Sequence, residues 1–361
     1  MNQPVVIAII GCGRIAHLGH GKGLLKMAQE GLIRVKYACD IIPGKAADYQ
    51  KEFPECEQVI EDYHIAVNDP EVQAIYVLTP NYSHYQITMD ALKAGKDVFC
   101  EKPVTVNYAL SEAMKEEADK QHRLLQIGVC NRYKGTVEEI QKYIAAGKLG
   151  DVYNVVCNFR CFRQIPGIGG PFTDKAQSGG GVLIDWGVHF FDLILYCLGG
   201  AKIETVSADS YQGVGKNMKD YHYLSMWAED TKDIEHGVND VEDYVTGYIR
   251  TNKASITFMG AWANNIDDNN MYIDFIGTKG GIRLDYYGGF TYWDGNTLKG
   301  EKWDHPIPDM YECEDRAFIQ SIFDRKKNKG NVDEVLETMK LLEAIYHSGD
   351  LHQELSFRSE E

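Results

Sequence analysis

Asp185 and His189 stand four residues apart in the segment GGGVLIDWGVHFFDLILYCLGG, residues 179–200. On a helix that spacing puts both side chains on one face, near the helix start. The rest of the segment is strongly apolar, so polar groups there need partners or a task. Histidine exchanges a proton near neutral pH, and His189 suits a general base that takes the proton of an alcohol. Asp185 is placed to hold that hydroxyl or to orient the imidazole. The competing reading is a buried, satisfied histidine with a capping aspartate. The glycines before the helix favour chemistry, because they let backbone approach a ligand closely. Lys102, in Glu101-Lys102-Pro103, closes an apolar run and is biased to extended backbone by the proline that follows. An amine there can polarise a hydroxyl or carbonyl oxygen; alone, it also reads as an ordinary surface lysine.

A second group of residues points to phosphate. Gly11-x-Gly13-x-x-Ala16 follows VVIAII, residues 5–10. Gly11 permits a tight turn, Gly13 lets backbone meet a pyrophosphate, and Ala16 lets helix and sheet pack closely. The anion would rest on the helix N-terminus. Asp40 ends the next apolar run, where a carboxylate accepts hydrogen bonds from both ribose hydroxyls. It repels a 2′-phosphate, and Ile41, Ile42 and Pro43 supply no arginine to hold one, with Lys45 the sole nearby cation. These residues favour NAD over NADP. A plain strand–helix turn with a surface aspartate is the bland alternative.

The elements that must position these groups follow from periodicity. Apolar runs at 5–10, 35–40, 74–80, 97–103 and 124–130 alternate with helical stretches to about 29 and over 44–52, 83–94 and 107–121. That alternation predicts an α/β domain with a doubly wound parallel sheet over 1–130. Residues 131–361 then read as an α+β domain with a large open, mainly antiparallel sheet. It begins with a helix over 137–146 and a strand over 151–160, and its last helix is expected to pack back on the first domain. Tyr248, Phe258, Trp262 and Tyr272 offer apolar material for a sheet face covered by another subunit.

Bulk properties exclude several functions. A length of 361 residues fits two domains. A net charge of −16 argues against nucleic acid and anionic membrane surfaces. No run approaches the ~20 apolar residues that span a bilayer, and the N-terminal run lacks the basic start of a signal peptide. The nine cysteines are scattered and show no metal-site spacing, so they read as reduced thiols of a cytoplasmic protein, with no metal centre expected.

The residues GCGRIA (11–16), TPNYSH (79–84), EKP (101–103) and GGG-x-L-x-D-x-G-x-H (179–189), in this order and spacing, resemble the glucose–fructose oxidoreductase, inositol dehydrogenase and rhizopine-catabolism (Gfo/Idh/MocA) family over nearly the whole chain. The resemblance implies an N-terminal Rossmann domain holding NAD(P), in some relatives tightly held and recycled, and an open C-terminal sheet used for homo-oligomers. It implies that Lys102, Asp185 and His189 face nicotinamide and substrate. Arg14, Ile15, Thr79, Pro80, Asn81, His84 and Glu101 would lie along the cofactor with Gly11, Gly13 and Asp40. Its usual substrates are polyhydroxylated small molecules: a ring alcohol of a sugar, glycoside or cyclitol, here read as C3 of a glucoside, with inositol or a free aldose as alternatives. A dihydrodiol- or bilin-type reductase and a non-catalytic NAD sensor on the same fold are the other readings. Arg160 and Arg163 precede a glycine-rich loop and would bind substrate or form structural ion pairs. An aromatic, charged stretch over 209–240 departs from the family pattern and reads as a substrate-entrance loop or a subunit-contact arm.

Overall fold

The computed structural model describes residues 3–42, 44–304 and 308–358, in two compact units. The first comprises residues 1–134 and 308–336. Its parallel sheet holds β1 (Val5–Ile10), β2 (Ile33–Cys39), β3 (Gln58–Ile60), β4 (Ala74–Val77), β5 (Asp97–Glu101) and β6 (Leu125–Gly128), in the order β3-β2-β1-β4-β5-β6. Helices α1 (Lys22–Gln29), α2 (Lys45–Glu52), α3 (Tyr63–Asn68), α4 (His84–Lys93) and α5 (Tyr108–Lys120) make the crossovers. β1, β4 and β5 are buried almost throughout, which is why they read as continuous apolar runs. Strand order reverses between β1 and β4, and ligands bind open α/β sheets at such a switch point, beyond the strands' carboxyl ends. The short, exposed β3 (QVI) and the one-and-a-half-turn α3 carry too little periodicity to read from sequence.

The second unit, 135–307 with 337–361, is built on a nine-stranded sheet. After α6 (Gly135–Ala145) come β7 (Val152–Arg160), α7 (Lys175–Ser178), α8 (Val188–Cys197), β8 (Ile203–Tyr211), β9 (Tyr244–Thr251), β10 (Ser255–Ala261), β11 (Tyr272–Gly277), β12 (Gly280–Asp285), β13 (Phe290–Asp294) and β14 (Lys299–Trp303). Helices α9 (Met310–Asp324) and α10 (Val332–Leu351) and the short β15 (Leu355–Ser356) complete the chain. The sheet order is β14-β13-β12-β11-β7-β10-β9-β8-β15, antiparallel except that β7 pairs in parallel with β10, more than 90 residues on.

Several sequence expectations change here. α9 belongs to the first unit, where Phe318 and Ile319 enter a core with Leu24, Met27 and Phe99, so a chain cut at 130 separates residues that pack together. Residues 209–211 end strand β8 rather than begin the inserted stretch. Phe258 and Trp262 are already buried within the unit, while Tyr248 and Tyr272 stay accessible beneath the guanidinium groups of Arg250 and Arg283. The segment Lys175–Cys197 is long and apolar enough to cross a membrane, contrary to the reading of the runs. It is a core element instead, with 78% of its most apolar window buried. Eight of the nine cysteines are buried.

Candidate active site

In the first unit the glycine turn closes at the switch point. Gly11 has φ +95°, and a Cβ on it would fall 2.6 Å from the Leu78 carbonyl, so β1 and β4 meet here only through glycine. A Cβ on Gly13 would meet nothing within 4 Å, leaving open space in front of the turn. Arg14 is exposed beside it, Ile15 half-buried and Ala16 buried. Asp40, at the end of β2, accepts hydrogen bonds from the amides of Cys12 (3.0 Å) and Ile42 (2.8 Å). The carboxylate predicted for ribose is therefore tied to the phosphate turn. Ile41 and Ile42 are exposed next to it, an apolar surface suited to an adenine; Pro43 lies outside the described residues. The open turn, the helix that starts behind it and this carboxylate fit a dinucleotide.

Thr79, Pro80 and Asn81 follow β4 and are at least partly accessible. His84 differs from expectation. It is fully buried, with Nδ1 2.8 Å from the Pro103 carbonyl and Nε2 2.9 Å from that of Thr79, and burial holds its pKa below the ordinary value. Its place is to tie the loop after β4 to the loop after β5. Glu101 is likewise turned inward: one oxygen accepts from the Lys102 amide (2.9 Å) and the other lies 3.0 Å from Nε2 of His20, itself 2.8 Å from Asp315 through Nδ1. Burial alone would depress His20, but the two carboxylates override it and push the imidazole well above its usual pKa. Both ring nitrogens of His20 thus face carboxylates, and the cluster anchors the strand end carrying Lys102. Lys102 itself is half-exposed. No sequence motif signals His20 or Asp315; their meeting needs α9 to pack on the first unit.

In the second unit, Asp185 lies in a π-helical turn (Leu183–Gly187) that runs into α8, where His189 sits. Single π turns recur at functional sites. Asp185, Trp186 and His189 are half-exposed while the residues on either side are buried. The start of this helix is clamped by a residue the sequence did not signal. Glu242, just before β9, accepts from the amides of Gly181 and Leu183, each at 2.9 Å, and from the Tyr346 hydroxyl at 2.9 Å. A Cβ on Gly181 would lie 1.9 Å from the Glu242 carbonyl oxygen, and one on Gly180 2.1 Å from the Tyr346 hydroxyl. These glycines make room for the protein's own clamp rather than for a ligand.

Arg160 donates to Asn158 (2.7 Å) and pairs with Asp268 (3.3 Å); Arg163 donates to the Asn264 carbonyl (2.7 Å) and to Asn265. Both guanidinium groups thus brace the loop after β10, the structural alternative to substrate binding. The inserted stretch packs on the glycine-rich loop: Gly167 donates to Trp227, Asp233 to Ile168, and Tyr221 accepts from the Ile165 amide. Trp227 stands edge-on to Phe172 at 4.4 Å. Among the described residues, no group of three His, Cys, Asp or Glu is arranged to hold a metal.

A doubly wound sheet with a glycine turn at its switch point and an aspartate on the neighbouring strand defines the class: a dinucleotide-dependent oxidoreductase fold. The models of the GFO/IDH/MocA oxidoreductase family, an NAD-binding Rossmann domain and its C-terminal domain, match residues 5–129 and 137–283, and the chain belongs to that family. It is 29% identical over 299 residues to D-glucoside 3-dehydrogenase of Escherichia coli K12, covering 82% of this chain and 80% of that protein. It is 28% identical over 210 residues to an NAD-dependent scyllo-inositol 2-dehydrogenase of Bacillus subtilis, 57% of each. Levoglucosan dehydrogenase, solved with NADH and levoglucosan, shares the fold with a TM-score of 0.84 at 18% identity, over 99% of this chain and 100% of that one.

Proposed function

We propose that this protein oxidises a ring secondary alcohol of a glycoside, sugar or cyclitol with NAD, C3 of a glucoside first among them. The observation that carries the reading is that Asp185 and His189 are half-exposed polar groups on a largely buried helix, in a chain similar over most of its length to a D-glucoside 3-dehydrogenase. NAD, when bound, supplies the hydride acceptor. Gly11, Gly13 and Arg14 seat its pyrophosphate, Asp40 its ribose, and Thr79, Pro80 and Asn81 the edge beside it. The Lys102 ammonium stabilises negative charge developing on the substrate oxygen, Asp185 orients the hydroxyl, and neutral His189 takes its proton. Arg160 and Arg163 hold the loop that borders the substrate. The protein works in the cytoplasm, where nine thiols stay reduced. It assembles as a homo-oligomer through the open face of the nine-stranded sheet, which carries Tyr248 and Tyr272.

The test is NADH formation at 340 nm with methyl glucosides, free aldoses, inositols and a hydrophobic dihydrodiol. Turnover of a glucoside with a 3-keto product supports the reading; preference for inositol moves it to the cyclitols. Silence across the panel, with NAD shown to bind, would leave a sensor on the same fold.

A further inference from the structure

One end of the nine-stranded sheet gathers the features of the second unit that bear on substrate. β7 ends there at Arg160, paired with Ala261, which ends β10 and faces Tyr244 at the start of β9. Tyr272 starts β11 at the same end, opposite Asn158 of β7 and Asp285, the last residue of β12. Glu242, two residues before β9, brings the turn that precedes Asp185 to this end as well. The β12–β13 hairpin turns here through Tyr286-Tyr287-Gly288-Gly289.

A ladder of rings fixes that turn. Phe159 stacks on Phe190, the neighbour of His189, with centroids 4.8 Å apart; Phe190 stacks on Tyr286 at 4.1 Å; and Tyr286 meets Tyr287 edge-on at 5.2 Å. Tyr287 ends the ladder with 73% of its surface exposed, and its amide is held by the Asp285 carboxylate. Gly288 and Gly289 meet the backbone needs of this turn, so its geometry does not call for an aromatic ring at 287. Burial of the hydroxyl, then Cys161 and Asp185, push the phenol pKa up.

We propose that Tyr287 is a substrate-binding platform on which the C–H face of a pyranose lies while its hydroxyl meets Asp185 and His189. This rests on the sugar-oxidising reading of the site and adds a residue to it. The chemistry is that of the ring quadrupole: the negative aromatic face attracts the positively polarised axial C–H groups of an all-equatorial glucopyranoside. The ladder holds the ring in place before substrate arrives, so little side-chain entropy is lost on binding.

The experiment is calorimetric titration of methyl β-glucoside into the NADH-loaded protein and its Tyr287→Ala and Tyr287→Phe variants, with steady-state rates alongside. Tyr287 is exposed, so neither change disturbs a core. Loss of the ring should weaken binding about five- to tenfold and raise KM correspondingly, with kcat within about threefold. The phenylalanine variant should stay within about twofold of wild type. Wild-type binding matched by Tyr287→Ala removes the platform and leaves the sugar reading standing. A wild type that takes up no glucoside overturns both.

Discussion

The carboxylate of Glu242 accepts a hydrogen bond at 2.9 Å from the amide of Leu183, two residues before Asp185. Helix starts carry orphan N–H groups, and here a buried side chain from 59 residues along the chain satisfies two of them. Glu242→Ala would leave both amides and the Tyr346 hydroxyl buried without an acceptor. At about 1–3 kcal/mol for each of the three stranded groups, the expected loss is about 3–9 kcal/mol, read by urea denaturation. Glu242→Gln keeps the shape and should fold, yet turn over roughly tenfold more slowly with NADH affinity unchanged. Wild-type kcat in that variant would remove the clamp from the mechanism.

His189→Ala tests the base. Turnover should fall by about 10²–10⁴, while the Kd for NADH, followed by nucleotide fluorescence, stays within about twofold. Near-full activity of this variant on the true substrate would be fatal to the assignment.

The choice of cofactor is the proposed role of Asp40. Asp40→Ser removes a charged acceptor worth about 1.5–3 kcal/mol, so kcat/KM for NAD should drop by roughly ten- to a hundredfold. The NADP-to-NAD ratio should rise as repulsion of a 2′-phosphate disappears. An unchanged ratio would mean that the ribose is read elsewhere.

His20 sits between Glu101 and Asp315 with no exposed surface. Its pKa is raised on folding, so the stability it contributes is full below its unfolded value, about 6.5, and is lost as pH rises through the folded value. His20→Ala would strand two buried carboxylates and should cost about 3–5 kcal/mol at neutral pH. That deficit should be full in acid and shrink as pH rises through the folded value of His20. Denaturation curves at about pH 6 and 9, on either side of the unfolded value, decide it: a pH-independent deficit would show that packing, not charge, is what His20 provides.

Much of the first unit is legible in the chain. VVIAII, AIYV and DVFCE are short runs buried on both faces, and their register with intervening helices is a local property. The glycine turn, Asp40, Lys102 and the Asp185–His189 pair share this character, because neighbours within a few residues set their backbone. β8 was less visible, since IETVSADSY mixes polar residues into a partly exposed strand. The inward turn of His84 and Glu101 is not legible, because a motif shows a residue's place in the chain and not the direction in which its side chain turns.

What the amino-acid order determined by itself was the set of elements and the residue types placed at their ends. Only tertiary structure decided that α9 returns to the first unit, that β7 pairs with β10, and that Glu242, His20 and Asp315 brace the elements carrying Asp185 and Lys102. The physical reason is separation. Periodicity reports contacts three or four residues away, whereas these pairings close loops of some 60 to 300 residues, where the partner is selected by burial and hydrogen-bond satisfaction in the folded core.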